Sequence, residues 1–211
     1  MPYLCLDLGN VLVKADFNQF LRHLSKALNI SLEEANDFLS RTQKLHDLGF
    51  TRISDELKDH FKIRSPVIIE ELLYSWNDII DTANYVIDRI IALQQTHDLK
   101  IALLSNIGFD HVSKLDTIFK FASPASSYRQ FYQDAIKHFS CLVGARKPSL
   151  MYYQSFLAMH PEFIGATYID DLQENLNASQ QFGFRTYRFA IDELIGDGIE
   201  QMTQLENFIT N

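Results

Sequence analysis

Cysteine occurs twice in 211 residues, tryptophan once, proline five times and glycine eight times. Two cysteines, Cys5 and Cys141, exclude a framework of several disulfides and a Cys-rich zinc cluster. Each sits in an apolar, strand-like run and is expected to be a buried, reduced thiol. Cationic residues are in deficit: 19 Lys and Arg against 27 Asp and Glu give a net charge of −8. The chain-wide basic footprint of a nucleic-acid binder is therefore missing. No apolar run approaches the ~20 residues of a membrane span. The start carries no basic segment leading into a long apolar stretch, so no secretory signal is expected and a cytoplasmic location is the default. The seven histidines are scattered without the spacing of a zinc site. Internal repeats and low-complexity linkers are absent as well.

What remains is an ordinary globular composition, with 46% apolar and 22% charged residues, long enough for one good core with a small inserted module. Five short runs read as strands: 3–8 (YLCLDL), 100–106 (KIALLSN), 139–145 (FSCLVGA), 166–171 (ATYIDD) and 186–190 (TYRFA). They are continuously apolar rather than alternating, as strands of a parallel sheet covered on both faces must be. Helical patterns at 149–160 and 175–183 separate the last three, the second ending at Gly183. This rhythm predicts a Rossmann-like α/β sheet, with strand order 5-4-1-2-3.

Residues 14–85 break the rhythm. They carry helical periodicity throughout and no strand of comparable strength, with a capping box at Ser31 and Glu34 and a further cap expected at Ser54. The expected organisation is an α/β core of residues 1–13 and 86–211, with a helical cap of residues 14–85. A crossover helix over 85–97 returns the chain to the sheet. In the cap, Trp76 and Tyr74 are expected in core packing, with stacking over a ligand as the sharper alternative, and Phe17 falls at the cap hinge. The aromatic stretch 121–133 is expected either to cover the sheet or to form a dimer surface.

Open α/β sheets bind ligands beyond the carboxyl ends of their strands. Four of the five predicted strands end there in different polar chemistry: Asp7, Ser105–Asn106, Arg146–Lys147 and Asp170–Asp171. A carboxylate, a hydroxyl, an ammonium and a carboxylate pair on one rim suit phosphoryl transfer. Asp7 is placed to attack phosphorus. Asp7 and Asp171 offer hard oxygen ligands to a divalent cation. Ser105 and the backbone N–H after it suit phosphate oxygens, and Lys147 suits neutralisation of the nucleophile and the phosphoryl group. Arg146 reads as a surface or core–cap ion pair rather than as a substrate ligand.

These residues resemble the haloacid dehalogenase (HAD) superfamily, whose four motifs are similar to DLGNV, LLSN, RKP and YIDDLQEN here. The opening DLGNVLVKADFN is similar to a bacterial subgroup that includes α-D-glucose-1-phosphate phosphatases. The resemblance implies Asp7 as nucleophile and magnesium as cofactor, held by Asp7, the Gly9 carbonyl and Asp171, with Asp170 outside or also on the metal. It implies Asn10, Ser105, Asn106 and Lys147 as phosphate-binding, and Asn175 as support for the metal loop. The implied partner is a small phosphate ester; the charge and the lack of long apolar runs point to no nucleic acid and no membrane, and the stretch 121–133 leaves a homodimer open.

Most phosphatases of this family carry a second aspartate two residues after the nucleophile, as general acid and base. Here that position is Gly9, and such a group is worth ~10²–10⁴ in rate. Three readings stay open. The chain is a phosphatase of esters with better leaving groups, such as anomeric sugar or acyl phosphates, with Asp16 or His46 as weak substitutes for the acid. It attacks carbon, as family dehalogenases do, although these need no metal pair. Or it is a non-catalytic binding protein on the same scaffold.

Overall fold

The computed structural model describes residues 2–82, 84–121, 125–196 and 198–210. In chain order, β1 (Tyr3–Leu6) is followed by a short β2 (Val13–Ala15). Four helices come next: α1 (Phe17–Leu28), α2 (Leu32–Asp47), α3 (Ile53–Phe61) and α4 (Pro66–Asn77). A second short strand, β3 (Ile80–Thr82), then pairs antiparallel with β2. Beyond it run α5 (Asn84–His97), β4 (Lys100–Ser105), α6 (Phe109–Phe121), α7 (Ala125–Asp134), β5 (Ile136–Phe139) and α8 (Ser140–Val143). The chain closes with α9 (Leu150–Met159), β6 (Thr167–Asp170), α10 (Gln173–Gln180), β7 (Arg185–Arg188) and α11 (Ile199–Thr210).

The main sheet has the order β5-β4-β1-β6-β7, every neighbouring pair parallel. This is the expected order, and the chain is an α/β protein of Rossmann-like architecture. The central strands are apolar on both faces because each face has its own core. In β1, Leu4 and Leu6 point into the cluster that includes the insertion, α5, α6 and α11. Cys5, between them, joins the opposite cluster with Tyr152, Tyr153 and Phe156 of α9. Successive side chains of a strand alternate faces, so one short run feeds two layers.

Several expectations need correction. The third core strand lies at Ile136–Phe139, not at 139–145; Ser140–Val143 is a helical turn closed by Gly144 at φ +67°. Cys141 is therefore buried in a helix rather than a strand. Its run is apolar but too short for periodicity to separate strand from helix. The stretch 14–85, read as purely helical, carries β3 and most of β2, three-residue strands too brief to leave a pattern. Ser54 does not cap α3, which starts one residue earlier after Arg52. Ser31 does cap α2, its hydroxyl accepting the Glu34 N–H at 3.0 Å. Trp76 is buried against Phe17, Phe20 and His111, whereas Tyr74 is 76% exposed and packs in no core.

Within the aromatic stretch 121–133, residues 122–124 lie outside the described residues. Phe131 and Tyr132 are buried, and Tyr132 stacks on Phe119 at 4.5 Å. These rings cover the core. No helix among the described residues is long and apolar enough to cross a membrane.

Candidate active site

A cavity of about 560 Å³ opens at the carboxyl ends of the central strands. The sheet contributes Asp7, Ser105, Asn106, Lys147, Asp171 and Asn175 to its walls, and the insertion contributes Phe17, Gln43 and Asp47. Asp7 is reached one residue past β1, where its N–H still donates to Ile169 O at 2.9 Å. That last ladder bond holds the carboxylate over the sheet edge.

Lys147 organises the floor. Its Nζ lies 2.7 Å from Asp170 Oδ2, 2.8 Å from Leu104 O, 2.9 Å from Asp7 Oδ1 and 3.1 Å from the Tyr168 hydroxyl. An ammonium has three hydrogens. Leu104, Tyr168 and Asp170 take them, so Asp7 meets Lys147 as an ion pair, and its Oδ1 has no hydrogen-bond partner of its own. Burial alone would lower the Lys147 pKa, but Asp170 and Asp7 outweigh it and hold the ammonium above its usual value. Burial pushes Asp7 up to about 7, against Lys147 and with help from the Asp170 and Asp171 charges. Burial and Asp170 also raise Asp171.

Beyond burial, positive charge is short. Carboxylate oxygens of Asp7, Asp170 and Asp171 lie within 4.8 Å of one another, three potential anions beside one ammonium. A hard divalent cation fits this donor set in both oxygen chemistry and charge.

Asp170 already has its partners. Oδ2 receives Lys147 and the Tyr168 hydroxyl, and Oδ1 receives the Leu172 N–H and Asn175 Nδ2, each at 2.9 Å. It braces Lys147 and the turn after β6, while Asp171 stays half-exposed and open to a ligand. Asn175, from α10, thereby holds Asp170 in place. Asn10 does not keep a free amide for phosphate. It adopts φ +57° and donates to Asp192 Oδ1 at 2.7 Å and Asp171 Oδ2 at 3.3 Å. Asn106 is similarly engaged: its side chain accepts the Lys147 N–H at 2.8 Å and donates to Lys147 O at 2.9 Å. The Ser105 hydroxyl is left to meet a phosphate, whereas the Ile107 N–H further along the turn is taken by Ser140.

Gly9 follows Asp7 with an open flank: a β-carbon there would meet nothing within 4 Å, and its φ lies outside the left-handed region. Neither space nor backbone demands glycine. The two weak substitutes fare differently. Asp16 is on the cavity wall but caps α1 by accepting the Asn18 N–H at 2.9 Å. His46 is 1% exposed, lies 3.2 Å from Asp110 and does not line the cavity. Arg146 forms an ion pair with Asp47 of the insertion, at 3.0 Å.

Sequence reasoning missed Tyr168, Asp192, Gln43 and Asp47. Tyr168 was within reach, since it stands two residues before Asp170 on the same face of a strand. The others enter by tertiary contact, with no local signal.

No protein-family model matches the chain, and no curated protein matches it. Solved structures do. A HAD family enzyme from Bacteroides thetaiotaomicron, complexed with magnesium and inorganic phosphate, is 18% identical and superposes at TM-score 0.74 over 89% of this chain and 93% of its own. The chain has the HAD fold. A HAD-like family hydrolase from Porphyromonas gingivalis is 20% identical with TM-score 0.73, covering 97% of both chains. The L-2-haloacid dehalogenase of Xanthobacter autotrophicus, 12% identical, is a more remote HAD neighbour at TM-score 0.57, over 100% of this chain and 88% of its own.

Proposed function

We propose that the protein is a magnesium-dependent phosphatase of small phosphomonoesters, acting through an aspartyl-phosphate on Asp7. The observation that carries the reading is Lys147 between Asp7 and Asp170, beside an Asp171 open to a metal. Asp7, Asp171 and the Gly9 carbonyl would hold a magnesium ion, which would supply charge neutralisation for the phosphoryl group. Asp7 attacks phosphorus as the ester P–O bond breaks, and the leaving oxygen takes a proton from solvent, because position 9 carries no acid. Water then attacks the phosphorus of the acyl phosphate, releasing inorganic phosphate and regenerating the carboxylate. Lys147 favours the ionised form of Asp7 against its burial, and Ser105 binds the phosphoryl oxygens.

Residues 14–85 act as a cap, limiting substrates to small molecules and excluding bulk water. The charge of the cavity supports an uncharged leaving group. Five carboxylates line it (Asp7, Asp16, Asp47, Asp171, Asp192) against three cations (Lys14, Arg146, Lys147). One metal ion and one phosphate dianion leave that excess in place, so a second anion on the substrate is repelled. Sugar phosphates meet this condition, and the anomeric ones also have a leaving group that needs less protonation.

The experiment is a hydrolysis screen of phosphate esters with and without magnesium, beside Asp7→Asn. Magnesium-dependent release that vanishes in the variant is expected, with anomeric and acyl phosphates ahead of alkyl esters. Absence of release from every ester sinks the reading and turns attention to carbon-centred substitution or pure binding.

A further inference from the structure

We infer that Ser140 is a positioning residue that ties the phosphate-binding turn of the sheet to the end of α2, so that the docked insertion sets the geometry of that turn. The inference rests on the phosphatase reading and concerns a residue outside the cavity lining.

Ser140 is fully buried. Its hydroxyl accepts the Ile107 N–H at 2.8 Å and lies 2.6 Å from Asp47 O and 3.3 Å from Ile107 O. One hydroxyl has one hydrogen to give, and the shorter contact takes it. The result is a directed chain from the Ile107 N–H, through Ser140, to the Asp47 carbonyl. Ile107 follows Ser105 and Asn106, so the chain fixes the turn that meets the phosphate. Each bond polarises the next in a dry environment.

Asp47 also reaches the site by a second route. Its carboxylate takes Arg146 at 3.0 Å, and Arg146 precedes Lys147, whose backbone is bonded on both sides to Asn106. The 105–107 turn and the 146–147 segment are thus cross-linked, and both are tied to one residue of the insertion. Ser140 carries the main-chain route and the Asp47 carboxylate carries the side-chain route. The two can be cut separately.

The test compares Ser140→Ala, Asp47→Asn and the double variant. Measured are kcat and KM for acetyl phosphate, chosen for its small leaving group, and calorimetric binding of inorganic phosphate with magnesium. Ser140→Ala is expected to weaken phosphate binding and lower kcat by about tenfold each, the scale of one buried hydrogen bond. The double variant is expected to depart from the product of the single effects, as coupled contacts do. Ser140→Thr, which keeps the hydroxyl, is expected to recover part of the loss. Phosphate affinity and kcat within twofold of wild type in a folded Ser140→Ala overturn the inference.

A measurement on the unmodified protein covers variants that fail to fold. Coupling is reciprocal, so phosphate with magnesium is expected to slow amide exchange at Ile107 and also at Leu48–Phe50, past the end of α2. Unchanged exchange at Leu48–Phe50, with phosphate demonstrably bound, overturns the link alone. A wild-type protein that neither binds phosphate nor hydrolyses acetyl phosphate removes the phosphatase reading and this inference with it.

Discussion

The imidazole of His46 occupies the space that a side chain on Gly108 would need: a β-carbon there would fall 2.0 Å from Cε1 of the ring. The insertion therefore meets the 105–110 segment of the sheet layer without slack, at a point where glycine is required by approach rather than by backbone angle. Gly108→Ala must push His46 off Asp110 or lift the end of α2. Overpacking of this kind costs about 1–3 kcal/mol, and urea unfolding should show it as a lower midpoint with an unchanged slope.

The same ring makes stability depend on pH. Burial alone would lower the pKa of His46, but its hydrogen bond to Asp110 and the nearby Asp47 carboxylate hold it above its ordinary 6.5. Its contribution is full below pH 6.5 and is lost as pH rises through the higher folded value. The hydrogen bond from His46 draws Asp110 down to about 2, Arg52 assisting. That contribution is full above the ordinary 3.8 and is lost as pH falls toward 2. The pair therefore supports the fold most between about pH 4 and 6.5. Urea midpoints of wild type and Asp110→Asn, taken across pH, should differ most in that window and converge on both sides of it. A constant difference would show that the pair is not what titrates.

Lys147→Met leaves three carboxylates without their cation. Breaking a buried ion pair from one side costs roughly 3–5 kcal/mol. The loss should shrink as pH falls, because protonated carboxyls no longer repel, and magnesium should offset part of it. Thermal unfolding from pH 8 to 5.5, with and without magnesium, should show the variant gaining stability toward acid relative to wild type.

Gly9→Asp tests the chemistry of the missing acid. The flank of Gly9 is open, so the new carboxyl is accommodated. Under the phosphatase reading it should speed hydrolysis of simple alkyl phosphates by tenfold or more, within the ~10²–10⁴ that a general acid can supply, and change acetyl phosphate little. Equal acceleration of both substrates, or of neither, would count against solvent as the proton source.

The order of the main sheet and the rim residues Asp7, Ser105, Lys147 and Asp170–Asp171 were legible because both rest on local signals: an apolar run and the polar residue that ends it. Where the signal was shorter than a period, reading failed. Residues 140–143 are one helical turn, and β2 and β3 are three residues each. Side-chain commitments were not legible either. Asn106 and Asn10 are polar residues at a ligand rim, and only folding shows that their amides are taken by Lys147, Asp171 and Asp192. The insertion's own contribution, Gln43 and Asp47, needs the packing of α2 to be known first.

The β2–β3 pair has a mechanical consequence. The chain enters and leaves the insertion along adjacent strands, joined as Val13 to Thr82, Lys14 to Asp81 and Ala15 to Ile80, with Asp16 N–H bonded to Ile79 O beyond them. Two strands laced together form a ribbon rather than two independent strings. A ribbon flexes readily across its flat face and resists shear in its own plane. Any force on the insertion is thereby carried into the core through one braced strap rather than through two independent linkers.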